Sequence, residues 1–308
     1  MAVANGGGFV CEGFEGLAEA FEANFNDGKE LGASVCATVD GETVADLWGG
    51  WADVAQARPW TRDTLVNVFS TTKTMVALSA LLLADRGELD LHAPIARYWP
   101  QFAANGKDRI TTAQVMSHSS GMSGWRPPVS GEDFYDWEKV TSALAAQAPL
   151  WPPGTASGYH VYTYGFLIGE VVRRITGQSL GTFFRREIAE PLGADFWIGL
   201  PASEDDRVAE LVPFMMPENP AAVAALTDIQ VATLSDTRIE IPWTATRAWR
   251  AAEIPAVNGQ GHARSVAEIH TVLANGGVAK GRRLMSEAGC RKALEEQISG
   301  PDLIMRGL

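Results

Sequence analysis

Apolar and polar positions recur with two different periods in the first fifty residues. Between about residues 13 and 27 the apolar residues recur at helical spacing, which predicts an amphipathic helix with one apolar stripe: Phe14, Leu17, Ala20, Phe21 and Phe25. The stretch ASVCATVDGETVADLWGG then has two β-rich runs on either side of Asp40-Gly41, a dipeptide typical of a two-residue hairpin turn. We therefore predict a helix and then a β-hairpin, whose second strand closes at residues 48–51.

The segment that follows Ser70 is apolar on nearly every face. Its large apolar positions are Met75, Val76, Leu78, Leu81, Leu82 and Leu83. A helix that is apolar all round is buried inside a domain. Gly87, in the sequence DRGELD, is typical of the residue just beyond a helix C-terminus. We therefore expect a buried central helix that ends before Gly87.

Two more helices and a long irregular region are predicted farther along the chain. One helix covers about residues 164–175, with Gly177 beyond its end, and SLGTFFRREIAEPLG predicts an amphipathic helix that stops at Pro191. Residues 213–259 are rich in Pro, Ala and Trp without a clear period, so we expect long loops with short helices. Loops of this kind often line the substrate site of an enzyme.

Composition and charge narrow the class of protein. The chain has 308 residues, with 25 Lys and Arg against 37 Asp and Glu and a formal net charge of −12. No basic run is present to meet phosphates, so a nucleic-acid partner is not expected. The first residues lack the basic and apolar regions of a signal peptide, and no apolar run reaches the roughly 18 residues of a membrane helix. These features predict a cytoplasmic protein without a membrane partner.

The cysteines and histidines lack the spacing of metal ligands. The three cysteines, an odd number, are expected to be buried or half-buried free thiols in a reducing compartment: Cys11, Cys36 and Cys290. The five histidines show no ligand pattern: His92, His118, His160, His262 and His270. We therefore expect neither a metal nor another cofactor.

Ser70 and Lys73 are the strongest candidates for chemistry. A serine at the start of a helix is usually an N-cap, and this alternative stays open for Ser70. Lys73 lies three residues on, on the same helix face, where burial is unfavourable for a lysine without a partner or a function. Desolvation lowers the pKa of a lysine, and a basic amine can activate a serine hydroxyl as a nucleophile. The N–H groups of the helix N-terminus would suit an acyl oxyanion.

Two later stretches contain further candidates. ITTAQVMSHSSGMSGW runs over residues 110–125, and WPPGTASGYHVYTYGFLIGEVVRRITG runs over residues 151–177. In the second stretch, PPGT predicts a turn, and Tyr159 follows just before an apolar helix. Tyr159 is either an ordinary aromatic residue of the core or a loop, or a phenol that shares a proton with Lys73.

These motifs together resemble a known superfamily. STTK at residues 70–73, HSSG at 118–121 and PPGT followed by Tyr159 occur in the order and spacing of the serine β-lactamases and penicillin-binding proteins. The chain resembles in particular the class C β-lactamase-like esterases called family VIII carboxylesterases, and NGQGHARSVAEIHTVLANGG at residues 258–277 also resembles that group. The resemblance covers nearly the whole chain from about residue 10.

The resemblance implies an α+β fold of the β-lactamase/transpeptidase type. In this fold an antiparallel sheet is flanked by helices and joined to a mainly helical region, here over about residues 76–260 of a single catalytic domain at 1–308. Ser70 would be the acyl-forming nucleophile, and its N–H one of two oxyanion donors. Lys73 would be the proton partner of Ser70, and Tyr159 the general base that deprotonates Ser70 and later activates water.

The implied activity is hydrolysis of small short-chain carboxylic esters through an acyl-enzyme on Ser70. Other possibilities within the fold are a β-lactamase, a D-alanyl-D-alanine peptidase or an acyltransferase. The possibility from another class is a non-catalytic relative that kept the fold. A fluorophosphonate label discriminates, because only a working serine centre reacts with it.

Two departures from the family pattern change the expectation. The lactamases have Tyr-x-Asn where this chain has Tyr159-His160-Val161, which favours simple esters over lactams. His160 is a less suitable base than Tyr159, and the sequence around Ser123 does not form a Gly-x-Ser-x-Gly elbow. The third family motif, Lys-Thr-Gly or a Trp-Gly-Gly-like variant on a later strand, has no counterpart after Gly277. We therefore expect a C-terminally truncated chain that lacks the last strands and the second oxyanion donor.

Overall fold

The computed structural model describes residues 3–129, 131–213, 225–235 and 239–305. The strands are β1 Gly7–Val10, β2 Gly32–Val39, β3 Glu42–Gly50, β4 Val66–Asn67, β5 Phe196–Trp197, β6 Gln260–Gly261, β7 Val278–Ala279 and β8 Arg282–Arg283. The α-helices are α1 Glu15–Asn26, α2 Thr72–Asp85, α3 Thr112–Met116, α4 Trp137–Ala146, α5 Thr163–Thr176, α6 Leu180–Phe184, α7 Glu190–Leu192, α8 Asp228–Gln230, α9 Arg247–Ala251, α10 Ala263–Ala274 and α11 Glu287–Arg291. Among the described helices, none is long and apolar enough to cross a membrane.

The predicted helix and hairpin at the N-terminus are confirmed as α1, β2 and β3. Asp40 and Gly41 both have positive φ, 51° and 86°, as a two-residue hairpin turn of the primed type requires. Strand β3 pairs antiparallel with both β1 and β2, so the sheet order is β1-β3-β2. Helix α1 packs on one face of this sheet through Phe21, and α10 packs on the other face, where Thr38 Oγ1 and Thr271 Oγ1 are 3.1 Å apart.

The predicted central helix is confirmed as α2, which lies in the main hydrophobic core. Its buried residues include the large apolar side chains expected from the sequence and also Lys73. The chain leaves the helix through Gly87, whose φ of 75° is the left-handed conformation that ends many helices. The amino end of α2 is therefore fixed inside the protein, and Ser70 lies just before it.

The prediction for the first of the two later helices is confirmed, whereas the C-terminal end predicted for the second helix is wrong. Helix α5 ends at Gly177, which has φ 72°. The helix predicted to stop at Pro191 instead runs from α6 through a π turn, Arg185–Ala189, into α7, which contains that proline and ends at Gly193. A proline lacks an N–H and its ring crowds the preceding turn. The wider turn directly before it makes room for the ring, so the helix continues through Pro191 to Leu192.

A second, small sheet holds the start of α2 in place. Its order is β4-β6-β5, with Val66 opposite Gly261 and Asn67 opposite Gln260. Strand β4 leads directly into the turn that contains Ser70, and β6 follows the irregular region predicted over residues 213–259. The described parts of that region, which exclude residues 214–224 and 236–238, are loops with single turns and the short helices α8 and α9, as predicted.

Candidate active site

Ser70 lies in a single 3₁₀ turn, Phe69–Thr71, between β4 and α2. The N-cap position of α2 is occupied by Thr71, not by Ser70, and it makes no side-chain capping hydrogen bond. The alternative that Ser70 is an ordinary N-cap is therefore wrong. Its hydroxyl oxygen instead lies 3.1 Å from Lys73 Nζ, at hydrogen-bond distance.

Lys73 is buried, with 6% of its surface exposed, and its amine is surrounded by oxygen atoms. Besides Ser70, Nζ donates to the carbonyl oxygen of Val161 at 2.8 Å and to that of Ala256 at 3.0 Å. No carboxylate among the described residues forms an ion pair with this amine, so no opposite charge offsets the loss of hydration. Burial accordingly lowers the pKa of Lys73 to about 7. Near neutral pH a substantial fraction of Lys73 is uncharged and can accept a proton from Ser70.

Tyr159 is the third candidate residue, and the structure brings it to the same place. Lys73 Nζ lies 4.8 Å from the centre of the Tyr159 ring, on its face. The backbone N–H of Tyr159 donates to Asp302 Oδ1 at 3.2 Å, and its ring packs 4.8 Å from that of His118. Ser70, Lys73 and Tyr159 thus form one cluster. Of the two candidate bases, only Lys73 has a hydrogen bond to Ser70 among the described residues.

His118 and His160, from the nearby motifs, have a hydrogen bond between them and none to Ser70 among the described residues. His160 Nδ1 must donate to the Gly158 carbonyl oxygen at 2.7 Å, so Nε2 accepts from the Ser120 hydroxyl, also at 2.7 Å. His118 Nδ1 in turn accepts the backbone N–H of His160 at 3.1 Å. Burial is the main cause that lowers the pKa of His118 to about 3 and that of His160 to about 4. Both rings are therefore neutral, and His160 is not arranged as a base for Ser70.

Several residues of the cluster have no signal in the local sequence. The carbonyl groups of Val161 and Ala256 bind Lys73 whatever side chain they carry. Asp302 accepts the N–H of Tyr159 and the hydroxyl of Ser157 at 3.2 Å each, from the far end of the described chain. Thr72 is wholly buried and joins the Ser70 turn to another loop. Of these features, the sequence indicated only the loop near residue 258, because residues 258–277 resemble the family VIII carboxylesterases.

Metal-ligating side chains do not cluster near these residues. In the described ranges, no group of three or more His, Cys, Asp or Glu side chains is arranged to hold a metal ion. The three cysteines are free thiols, as predicted. Cys36 is half-buried and Cys290 is buried, but the prediction of burial is wrong for Cys11, which is exposed.

The amino-acid sequence of the chain matches a known protein family. Residues 17–301 match the family model described as Beta-lactamase. The chain is 37% identical over 296 residues to the Esterase/beta-lactamase LipL of Mycobacterium tuberculosis, a match that covers 90% of this chain and 65% of the relative. It is 30% identical over 215 residues to the Esterase EstB of Burkholderia gladioli, covering 64% of this chain and 54% of the relative. The chain thus spans less than two thirds of the length of these two curated relatives.

The solved structures agree with the sequence comparison. A structure titled as a family VIII carboxylesterase superposes with a TM-score of 0.92 at 44% identity, covering 97% of this chain and 80% of the other. A penicillin-binding protein homologue from Caulobacter crescentus superposes with a TM-score of 0.85 at 42% identity, covering 96% and 79%. The predicted α+β architecture and the predicted resemblance are both confirmed. The chain belongs to the beta-lactamase family.

Proposed function

We propose that this protein is a serine esterase that cleaves carboxylic esters through an acyl-enzyme on Ser70. The observation that carries the proposal is the 3.1 Å contact between the Ser70 hydroxyl and the Lys73 amine. That amine is buried and has a pKa lowered to about 7, so it can act as a base at neutral pH. The names of similar proteins, an esterase, an esterase/beta-lactamase and a family VIII carboxylesterase, support an ester substrate.

In the proposed reaction, uncharged Lys73 takes the proton of Ser70 as Ser70 Oγ bonds to the ester carbonyl carbon. The tetrahedral oxyanion then collapses, the bond to the alcohol oxygen breaks, and the proton passes to that leaving oxygen. Water next attacks the acyl carbonyl carbon and passes a proton through the Tyr159 hydroxyl to uncharged Lys73. As the bond to Ser70 Oγ breaks, this proton returns to Ser70 Oγ and the carboxylic acid is released. The family resemblance assigns to Tyr159 both the deprotonation of Ser70 and the activation of water, and the proposed reaction gives the first of these steps to Lys73, on which Tyr159 stacks.

The direct test uses a fluorophosphonate probe, which reacts with a serine only when a neighbouring base activates it. We expect the intact protein to be labelled once, on the peptide that contains Ser70. Mass spectrometry of the digested protein identifies the labelled residue. Labelling at another serine, or none while the protein is folded, would contradict the proposal and favour a non-catalytic relative.

Tyr159→Phe tests the role of the phenol. The change keeps the ring on Lys73 and against His118 but removes the hydroxyl. If the phenol transfers protons, kcat for p-nitrophenyl butyrate should fall by about 10²–10⁴, the usual contribution of general acid–base catalysis. Tyr164→Phe is the matched control, because Tyr164 packs 5.2 Å from the same His118 ring but takes no part in the proposed steps. If kcat falls by less than threefold in Tyr159→Phe, the phenol does not transfer protons and Tyr159 contributes only packing.

The substrate class gives a further prediction. Val161 contributes its backbone carbonyl to Lys73, but its side chain has no amide to bind the side chain of a lactam. We therefore expect kcat/KM for p-nitrophenyl acetate and butyrate to exceed that for benzylpenicillin and cephalosporins. Val161→Asn keeps the carbonyl and restores the amide, so it should retain esterase activity and raise the relative activity on lactams. Faster hydrolysis of benzylpenicillin than of p-nitrophenyl acetate by the unchanged protein would favour a β-lactamase instead, an activity that the name of the relative Esterase/beta-lactamase LipL includes.

A further inference from the structure

The backbone just before Ser70 has an unfavourable conformation. Phe69 has a φ of 44°, in the left-handed region that bulky side chains rarely occupy. Such residues persist only where the surrounding structure holds them in place, and they are frequent at active sites. Some contact must therefore hold the turn that carries Ser70.

Thr72 supplies that contact through a wholly buried hydroxyl. Its Oγ1 donates to the carbonyl oxygen of Phe69 at 2.5 Å and accepts the backbone N–H of Gly259 at 2.9 Å. The carbonyl oxygen of Gly259 also accepts the N–H of Val68 at 2.9 Å. Gly259 is therefore hydrogen-bonded to Val68 before the strained residue and to Thr72 after it. Thr72 in turn is hydrogen-bonded to Phe69 itself, so these contacts hold both ends of the Ser70 turn.

Only a glycine fits at the other end of this contact. A Cβ on Gly259 would lie 2.6 Å from Thr72 Oγ1 and 2.6 Å from Phe196 Cζ, closer than such atoms approach in folded proteins. The absence of a side chain lets the backbone of the loop come within hydrogen-bond distance of Thr72.

The loop that contains Gly259 is itself held rigidly. The Asn258 side chain accepts the N–H of Ile254 at 2.9 Å and donates to the carbonyl oxygens of Trp249 and Ala252 at 3.0 and 2.7 Å. Asn67 Nδ2 donates to the carbonyl oxygen of Val257 at 3.0 Å, which ties the loop to β4. A loop fixed by two buried amides is a firm support for whatever binds to it.

The same loop also binds Lys73, through the carbonyl oxygen of Ala256. Two consecutive residues of α2 therefore contact one rigid loop. Thr72 contacts Gly259, which is 187 residues away along the chain, and Lys73 contacts Ala256, which is 183 residues away. We propose that Thr72 is a positioning residue: its hydroxyl holds the strained Ser70 turn against the loop at 254–259 and so sets the contact between Ser70 Oγ and Lys73 Nζ. This inference rests on the proposed esterase function.

The test compares Thr72→Val, which keeps the shape of the side chain but removes the hydroxyl, with Thr72→Ser, which keeps the hydroxyl. In Thr72→Val the burst of p-nitrophenol from p-nitrophenyl butyrate should slow by about 10–100-fold per labelled serine, since small misplacements of reacting groups have effects of this order. The substrate dissociation constant, obtained from the dependence of the burst rate on ester concentration, should change by less than about threefold, because the buried hydroxyl is bonded to backbone groups. Thr72→Ser should recover the rate to within about threefold of the unchanged protein.

Thr112→Val is the control for loss of a buried threonine hydroxyl. Thr112 is also wholly buried, and its hydroxyl has no hydrogen-bond partner among the described residues. Its replacement should therefore leave the burst rate unchanged. Normalising each rate to the amount of labelled serine removes any effect of a smaller folded fraction, so that a purely structural role for Thr72 predicts an unchanged rate in Thr72→Val.

The outcomes separate this inference from the proposed function. If the unchanged protein is labelled at Ser70 and turns over ester, an equal rate per labelled serine in Thr72→Val would overturn the role of Thr72 alone. If Ser70 is not reactive in the unchanged protein, the esterase proposal fails. Crystal structures of both forms then decide the positioning role, which predicts a relaxed Phe69 φ and a longer distance from Ser70 Oγ to Lys73 Nζ in Thr72→Val. The same turn in both structures would refute it.

Discussion

Ser70→Ala is expected to abolish hydrolysis of p-nitrophenyl butyrate and covalent labelling by a fluorophosphonate together. The Ser70 hydroxyl is the proposed nucleophile, so its removal leaves the proposed reaction without the oxygen that takes up the acyl group. Removal of the nucleophile from a serine hydrolase lowers kcat by about 10⁶-fold in a well-studied case. We therefore expect a loss of activity of this order. Full residual activity would show that the nucleophile lies elsewhere.

The fold should survive this substitution. Ser70 is not the N-cap of α2, and its side chain is hydrogen-bonded to Lys73. Loss of one such bond costs about 0.5–1.5 kcal/mol. Thermal unfolding followed by circular dichroism measures the change. Ser79→Ala is the matched control, because Ser79 is a buried serine of the same helix whose hydroxyl donates to the Met75 carbonyl oxygen at 2.9 Å. It should keep both turnover and labelling.

Lys73→Met should have the second largest effect on activity. Methionine keeps a long apolar side chain in the buried position but cannot accept the Ser70 proton. Acylation should slow by about 10²–10⁴-fold, which the rate of fluorophosphonate labelling measures directly. Labelling at the unchanged rate would show that Tyr159 alone deprotonates Ser70, as the family resemblance implies.

The pH dependence of the unchanged protein tests whether Lys73 is the base. In the proposed reaction the uncharged amine accepts the proton, and the pKa of Lys73 is lowered to about 7. kcat/KM should therefore rise with pH through about 7 and level off above it, where Lys73 is uncharged. This rise should remain at the same pH in Tyr159→Phe if Lys73 is the titrating group. A profile that is flat between pH 6 and 8 would contradict this assignment.

Lys73 also links the stability of the fold to pH. Its folded-state pKa, about 7, is below the ordinary lysine value of 10.5. Between these values the unfolded chain holds a proton that the folded chain has lost, so Lys73 makes folding more favourable as pH rises through this window. The expected slope is up to about 1.4 kcal/mol per pH unit. Urea unfolding of the unchanged protein and of Lys73→Met over pH 7–10 should show this difference in slope.

The local sequence was enough to predict the elements that position the site. Asp40-Gly41 specified a hairpin because the required positive φ values suit few other dipeptides, and Gly87 and Gly177 marked helix ends for the same reason. Ser70 and Lys73 are three residues apart, so one turn of backbone brings them together almost independently of the rest of the chain. The family resemblance added Tyr159, whose place beside Lys73 the motif spacing alone did not specify.

Local patterns were less informative where two conformations differ by little energy. Pro191 was expected to stop a helix, but a π turn over Arg185–Ala189 lets the helix pass it. Ser70 had the residue type and position of an N-cap, yet the chain forms a 3₁₀ turn there and the cap position shifts to Thr71. In both places the packing of the surrounding core decides between nearly equivalent helical turns.

The properties of the Lys73 amine were decided by the tertiary structure. Burial without a carboxylate partner lowers the pKa of Lys73 to about 7, and its other contacts are carbonyl oxygens 88 and 183 residues away along the chain. Every residue has such a carbonyl, so the sequence alone does not show which of them meet a lysine. The contact of Thr72 with Gly259 spans 187 residues for the same reason. The sequence by itself determined which groups could react, whereas only the folded chain decided their distances, their hydration and hence their reactivity.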